Sequence, residues 1–529
     1  MKKIIILALA LLSLALLTAC SSGNDTVSDA ATPATQAAPA DVPASGAAPV
    51  PAPETALAEA DLDEDDTYGH PMDAGGTGRE THHPMAENPW ESPQTISFTL
   101  HTHTASYRNI VRMINAGIRP QPNAVRIAEM LNYFNYDTAA PPVGDSPFSV
   151  YAEIGPSPFN NDKHLAFVHI RAKEIDRGNL PPSNLTFLID TSGSMAPANR
   201  LPLIQQSLGL LVPTLTENDT ISIVTYAGDA QILLDRVPGN RHSHIMDAIN
   251  SLTARGHTAG GPGISAAYRL AMEKFDPYKN NRIILASDGD FNVGAATTRE
   301  LYEMMAAYRQ RGIYMTVLGV GMGNFRDDML ETIAQNGNAA YHYIDTIEAA
   351  HKIFVEELLG NLFVVAEDVR TQITFNPAFV EGYRLIGYEN RQIDRDDFDN
   401  DFVNAGEIGA GSEVVLMFEL SLHQDIIHQA NPEAPIFEVH IRYHQPGSPQ
   451  SRLISAPVTY IHLKTENTAD FTFAAAVAVF GHILRDSDHV GDATYNTVLG
   501  MARQSLGYDR GGHRRRFVAL VERYGGMQP

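Results

Sequence analysis

Cysteine is almost absent: Cys20 is the single one among 529 residues. One thiol excludes an intramolecular disulfide framework and any zinc or iron–sulfur site built from several cysteines. Basic residues are also scarce, with 38 Lys and Arg against 62 Asp and Glu and a formal charge of −24. That balance excludes nucleic acid as the main partner, because phosphates are held by clustered Lys and Arg, and it leaves room for metal cations. Charged residues make up only 19% and hydrophobic residues 44%, which excludes global disorder and allows three or four packed domains. No apolar run is long enough to span a bilayer comfortably: Ile4–Leu17 falls short of the roughly 20 residues required. Neither G-x-S-x-G nor H-E-x-x-H occurs, and the glycine-rich stretch 256–263 has no following Lys-Ser/Thr pair, so a nucleotide P-loop is not expected.

Lys2 and Lys3 precede the apolar run, as in a secretory signal. The run ends in Leu17-Thr18-Ala19-Cys20-Ser21, which resembles the lipobox of bacterial lipoproteins. The resemblance implies a signal peptide over 1–19, a lipid on Cys20 and attachment to a membrane surface. Ser21, where an inner-membrane retention signal has Asp, points to the outer membrane of the cell envelope. Residues 20–94 read as a disordered Pro/Ala-rich acidic tether. They include Asp61-Leu62-Asp63-Glu64-Asp65-Asp66, and 13 acidic residues stand against one basic between 21 and 88. His82-His83 reads as a solvated pair within it.

Beyond the tether, periodicity divides the chain. Residues 95–146 form a small α/β segment, with a strand at Ile96–Leu100 and helices at Ser106–Ile114 and Val125–Phe134. Residues 147–182 hold two strands. Over 183–358, apolar strands alternate with amphipathic helices, the pattern of a doubly wound, mostly parallel sheet covered on both faces. Residues 359–464 return to strands, as in an antiparallel sandwich, and 465–529 to helices.

The chemistry concentrates at strand ends. The strand Leu185–Ile189 runs into Asp190-Thr191-Ser192-Gly193-Ser194, and Ile283–Ser287 runs into Asp288-Gly289. Thr258 lies in Gly256-His257-Thr258-Ala259-Gly260-Gly261. Ligands of open α/β sheets bind outside the carboxyl ends of strands. Two carboxylates and three hydroxyls there make a hard, all-oxygen donor set suited to Mg²⁺.

This pattern resembles the metal-ion-dependent adhesion site of von Willebrand factor type A (VWA) domains. The resemblance implies that Ser192, Ser194 and Thr258 coordinate the ion directly, that Asp190 and Asp288 act largely through bound water, and that a protein partner donates an Asp or Glu carboxylate. Thr104-Ala105-Ser106-Tyr107, Val125–Phe134, Ala286–Gly294, Gly406–Gly411 and Leu484-Arg485-Asp486-Ser487 are similar to the YfbK-type family of bacterial VWA lipoproteins. His101 and His103 stand where that family usually has acidic residues; their spacing places both imidazoles on one strand face, and a packing role is favoured over a metal site. The expected architecture is an α/β VWA domain inserted in a β-sandwich formed by the flanking strands, with movement of helix 346–358 carrying ligand binding to the sandwich.

Two other features read as surface, the first as a solvated acidic loop and the second as a solvated or salt-bridged face. Asp397-Phe398-Asp399-Asn400-Asp401 starts like an EF-hand loop but has Phe402 and Ile408 where glycine and glutamate are needed. Arg514-Arg515-Arg516 opens the last helix. The expected function is partner binding through the metal by a non-enzymatic envelope lipoprotein. The alternative is a scaffolding lipoprotein whose sandwich and C-terminal helices make the contacts, and a metal hydrolase is disfavoured.

Overall fold

A computed structural model describes residues 82, 85–92, 94–141, 144, 146–176, 180–256, 260–290, 295–323, 325–401, 405–423, 433–507 and 509–527. Cys20, the acidic run and Thr258 lie outside the described residues. Among the described residues, no helix is long and apolar enough to cross a membrane.

Thr95–Thr99 (β1) leads into helices Ala105–Asn115 (α1) and Ile127–Asn132 (α2), then strands Phe148–Pro156 (β2) and His164–Ala172 (β3). The middle of the chain runs Ser183–Asp190 (β4), Leu201–Leu211 (α3), Thr220–Tyr226 (β5), Ala230–Pro238 (β6), His242–Ser251 (α4) and Gly260–Glu273 (α5). It continues Asn280–Ser287 (β7), Ala295–Arg309 (α6), Ile313–Val320 (β8), Asp327–Asn336 (α7), Ala340–Ile344 (β9), Ile347–His351 (α8) and Leu358–Leu362 (α9). The last third holds Val364–Phe375 (β10), Val380–Ile386 (β11), Gln392–Ile393 (β12), Gly406–Gly409 (β13), Glu413–Leu422 (β14), Pro435–His444 (β15) and Ser451–Thr459 (β16). Ala469–Arg485 (α10), Tyr495–Gln504 (α11) and His513–Gly525 (α12) close the chain.

The middle segment is a VWA fold. Its sheet has the order β6-β5-β4-β7-β8-β9, parallel except for the antiparallel β6 at one edge. β4 is central and buried along its whole length. That explains its unbroken apolar run, since a strand covered on both faces has no solvent side to mark with polar residues.

The strands on either side pack as two antiparallel sheets. One has the order β12-β1-β10-β15-β16, with β13 joined to β10; the other is β11-β14-β3-β2. Their inner faces meet through aromatic contacts: Phe375 stacks on Tyr383 at 4.1 Å and meets Phe418 edge-on at 5.6 Å, and Phe148 meets Tyr443 at 5.6 Å. The VWA domain therefore interrupts the sandwich between β3 and β10. The outer face of the second sheet, with Leu165, Phe167, Val415 and Met417, buries against α10, whose Phe471 to Leu484 lie in the same apolar cluster. Thr468 caps this helix by accepting from Phe471 N–H at 3.2 Å.

Four features depart from the sequence reading. First, β1 is a sandwich strand, paired with β10 from Thr95↔Thr374 to Thr99↔Arg370, and α1 packs on β9 through Thr104 N–H to Tyr341 O at 3.2 Å. Residues 95–146 are thus shared between the layers, a pairing across some 275 positions that local periodicity does not register. Second, the order begins before residue 95. Asn88 donates to Leu385 O and Gly387 O at 2.9 and 2.8 Å, and Glu87 is held by His482 and Ser487. These anchors are polar, so hydropathy does not reveal them.

Third, the stretch read as one helix over 346–358 is broken. α8 passes into a wider π-type turn at Lys352–Glu356, and Glu357 leaves helical geometry before α9. The buried Lys352 ammonium pairs with the Glu357 carboxylate and lies 4.9 Å from the Tyr133 ring, which accounts for a break at this point. Fourth, Arg514 is a buried residue: it pairs with Asp470 at 2.5 Å, donates to Asn135 O and Ser505 O, and stacks on Phe473. Of the three arginines only Arg515 and Arg516 remain outward, so no continuous basic face exists there.

Candidate metal centre

β4 and β7 are adjacent parallel strands, with Ile189 opposite Ala286. Asp190 and Asp288 therefore leave the same end of the sheet side by side. Asp190 is fully buried and is organised by three donors: Ser192 N–H at 2.9 Å to Oδ1, and Ser287 Oγ–H at 2.9 Å and Tyr226 O–H at 3.3 Å to Oδ2. The turn that follows places Ser192 Oγ and Ser194 Oγ 3.0 Å apart. The next segment joins by backbone bonds: Gly193 N–H reaches Gly256 O at 3.0 Å, and Arg255 N–H reaches Thr191 O at 2.7 Å. Thr258, the remaining expected ligand, falls just beyond in the undescribed residues.

Asp288 is also fully buried. Gly289 follows it at φ +82°, where a Cβ would stand 2.5 Å from Arg326 O, so glycine is required by both conformation and space. Arg326 N–H in turn donates to Asp288 O at 3.1 Å, which ties this loop to the start of α7. One cation faces the two carboxylates. Arg200 donates through Nη1 to Asp288 Oδ2 at 2.6 Å and to Ser194 O at 2.5 Å, and through Nη2 to Met322 O at 3.0 Å.

Burial and the charge of Asp288 push the Asp190 carboxyl up to about 6. Burial also raises Asp288, with Arg200 opposing. Two converging buried carboxylates raised in this way hold charge that one guanidinium does not neutralise, and a divalent cation lowers that penalty. Together with two hydroxyls 3.0 Å apart, this donor set fits a hard ion. Asp190, Asp288, Ser192 and Ser194 converge in the structure.

Arg200, Ser287 and Tyr226 were not among the sequence candidates. A signal for Arg200 existed: it is the one basic residue between Arg177 and Arg236. His101 and His103 lie past the end of β1, both buried, with rings 4.6 Å apart. His103 donates through Nε2 to Ala339 O at 2.8 Å, and its Nδ1 accepts from Arg391 at 3.2 Å. Both of its nitrogens are therefore engaged in packing contacts, and burial lowers both imidazoles well below the usual range. In the loop that starts like an EF-hand, Asp399 pairs with Arg442 and Asp401 with Arg370.

Comparison with known proteins places the chain among VWA proteins. A family model described as von Willebrand factor type A domain matches residues 184–356. One described as the C-terminal part of uncharacterized protein YfbK matches 360–527, and one described as von Willebrand factor matches 77–167. Uncharacterized protein YfbK of Escherichia coli K12 is 40% identical over 458 residues, covering 83% of this chain and 78% of that protein. An uncharacterized protein of Synechocystis is 25% identical over 301 residues, or 55% of this chain and 68% of that one. Among solved structures, a von Willebrand factor type A protein from Catenulispora acidiphila aligns with a TM-score of 0.42 at 16% identity, over 72% of this chain and 91% of that one.

Proposed function

The chain belongs to the YfbK family of VWA proteins, and from that premise we propose that it is a lipid-anchored envelope protein that binds a protein partner through Mg²⁺. The presence of a VWA domain suggests protein–protein interaction or adhesion. In this reading Ser192, Ser194 and Thr258, with Asp190 and Asp288 behind them, hold the ion. A bound Mg²⁺ supplies a Lewis-acidic position for a carboxylate of the partner. Arg200 fixes the orientation of Asp288, and Ser287 and Tyr226 fix that of Asp190. Cys20 carries the lipid, and the outer membrane is the favoured location.

The observation that carries this reading is the pair of buried carboxylates at the carboxyl ends of β4 and β7, where among the described residues one cation, Arg200, pairs with Asp288. In this reading the protein binds its partner and does not act as an enzyme. Among the described residues, hydroxyls, backbone and Arg200 touch Asp190, Ser192, Ser194 and Asp288. The scaffolding alternative gains no support from α10–α12, whose apolar residues fill an internal core.

The test is a crosslinking pull-down from envelope fractions with Mg²⁺ or EDTA, using the wild type and Asp190→Ala. Capture that needs Mg²⁺ and is lost in the variant supports the proposal. Capture unchanged by EDTA rejects it.

A further inference from the structure

A groove of about 460 Å³ lies against the β5–β6 hairpin and reaches Thr191, the residue between Asp190 and Ser192. Gly256, Ile232, Leu233 and Ser251 to Thr253 also line it. Ile232 and Leu233 are 57% and 40% exposed, although they are large, apolar and adjacent in sequence. Their placement has a backbone cause. Val224 pairs with Ile232 but Ile223 pairs with Leu234, so Leu233 is the extra residue of a β-bulge. Bulges at sheet edges re-aim side chains, and here both residues line the one groove.

Among the described residues, β6 carries no further strand on its outer side. Edge strands are ordinarily blunted by charge. Ala230 to Leu233 has none, and the charges Asp235 and Arg236 come only after the bulge. Two charged side chains line the groove, the exposed Arg255 beside Gly256 and Asp229 at the hairpin tip.

We infer that this groove holds an extended segment of the protein partner, with a single carboxylate directed to the metal and two apolar side chains set against Ile232 and Leu233. The inference rests on the metal-dependent reading above. Charge complementarity selects the segment. The ion and Arg255 attract one carboxylate, while Asp229 disfavours a second and so an acidic tract. Register sets the spacing. β6 lies two strands from β4, about 10 Å at ~4.8 Å per strand, which three or four extended residues span at ~3.3 Å each.

The experiment uses the purified full chain and a labelled synthetic peptide read by fluorescence anisotropy. The peptide carries one Glu, and three and five residues later Val and Leu, which share one face of an extended chain, on a Ser/Gln background. It is expected to bind in Mg²⁺ and to be released by EDTA or by Glu→Gln in the peptide. Replacing its Val and Leu by Ser, or Ile232→Lys or Leu233→Lys in the protein, is expected to weaken binding about tenfold or more. Both protein positions are exposed, so neither substitution disturbs the core. A second Glu beside the first is expected to weaken binding further. If Mg²⁺ and the peptide Glu matter but the apolar pair, Ile232 and Leu233 do not, the groove inference is overturned and the metal reading stands. If the apolar pair matters and Mg²⁺ does not, the metal reading fails. If no peptide binds at millimolar concentration, the groove inference is overturned.

Discussion

Two clusters of buried carboxylates lie close together in the VWA domain, and they are built on opposite terms. At the metal centre, one guanidinium pairs with Asp288, Asp190 is met by hydroxyls and backbone, and burial raises both carboxyls, helped at Asp190 by the charge of Asp288. Next to Arg326, whose N–H holds Asp288 O, Asp327 opens α7. Burial works against its charge too, but Arg126 at 2.5 Å and His82 at 3.0 Å outweigh it and hold its carboxyl far below the usual range. Arg126 also reaches Glu129 at 2.6 Å and Glu331 at 3.4 Å, and Tyr341 O–H donates to Asp327 at 2.7 Å. Asp327, at the centre of this second cluster, is completed from within the chain, although burial still raises its neighbour Glu129, and the cluster joins His82 ahead of β1, α2 and the VWA domain. The first holds carboxylate charge that the described residues do not complete. A buried group with its partners present fastens structure, and one that lacks them marks a place for a ligand.

The comparison can be broken at several points, beginning with the fastened side. Asp327→Ala leaves Arg126 buried without its main partner and is expected to destabilise the protein by about 3–5 kcal/mol in urea denaturation. A loss below about 1 kcal/mol contradicts the role given to that cluster.

Glu407 offers a second contrast. Burial, helped by Glu367 and Asp368, pushes its carboxyl up to about 8, although Arg282 and Arg309 oppose the rise. The folded state thus binds this proton more tightly than the unfolded chain, and stability falls as pH rises from 4.5 toward 8. Glu407→Gln is expected to stabilise the protein at pH 8 by roughly 1–3 kcal/mol and to have little effect below pH 4.5. Thermal unfolding of both proteins across that range decides it.

Glu87 behaves in the opposite way. His482, Ser487 and Arg485 outweigh burial and hold its carboxyl at about 2. Burial also keeps His482 toward its neutral form, so the hydrogen bonds from His482 and Ser487 do most of the holding. The stabilisation is present above pH 4.5 and fades as pH falls toward 2. With solvent screening it amounts to about 1–2 kcal/mol. Glu87→Gln is expected to remove that amount at pH 7 and nothing near pH 2, as read by denaturant midpoints at the two pH values.

The sequence was most readable where burial is two-sided and the motif local. β4 and β7 are unbroken apolar runs, and Asp190, Ser192, Ser194 and Asp288 stand at their ends, so both sheet and site follow from a short stretch of chain. The sandwich around the VWA domain was legible as strands, though not the place of β1, whose partner β10 lies some 275 residues away. Glycines in the family pattern gain a reason only in three dimensions: a Cβ on Gly406 would stand 1.9 Å from Leu100 O, and one on Gly409 1.8 Å from Gly360 O. Polar anchors were the hardest to see. His82, read as solvated, is bound to the buried Asp327, and Glu87 and Asn88 fasten a stretch read as tether. Their stabilisation comes from specific partners, which composition does not record. The break in the helix over 346–358, at the buried Lys352–Glu357 pair, likewise leaves no mark in the periodicity.

The contrast between the completed and the uncompleted cluster is tested most directly by titrating Mg²⁺ calorimetrically into the metal-free full chain and into Asp190→Asn, with circular dichroism to show that both are folded. The account predicts one Mg²⁺ site in the wild type and none in the variant. Equal Mg²⁺ binding by both proteins, or none by the folded wild type, would contradict it.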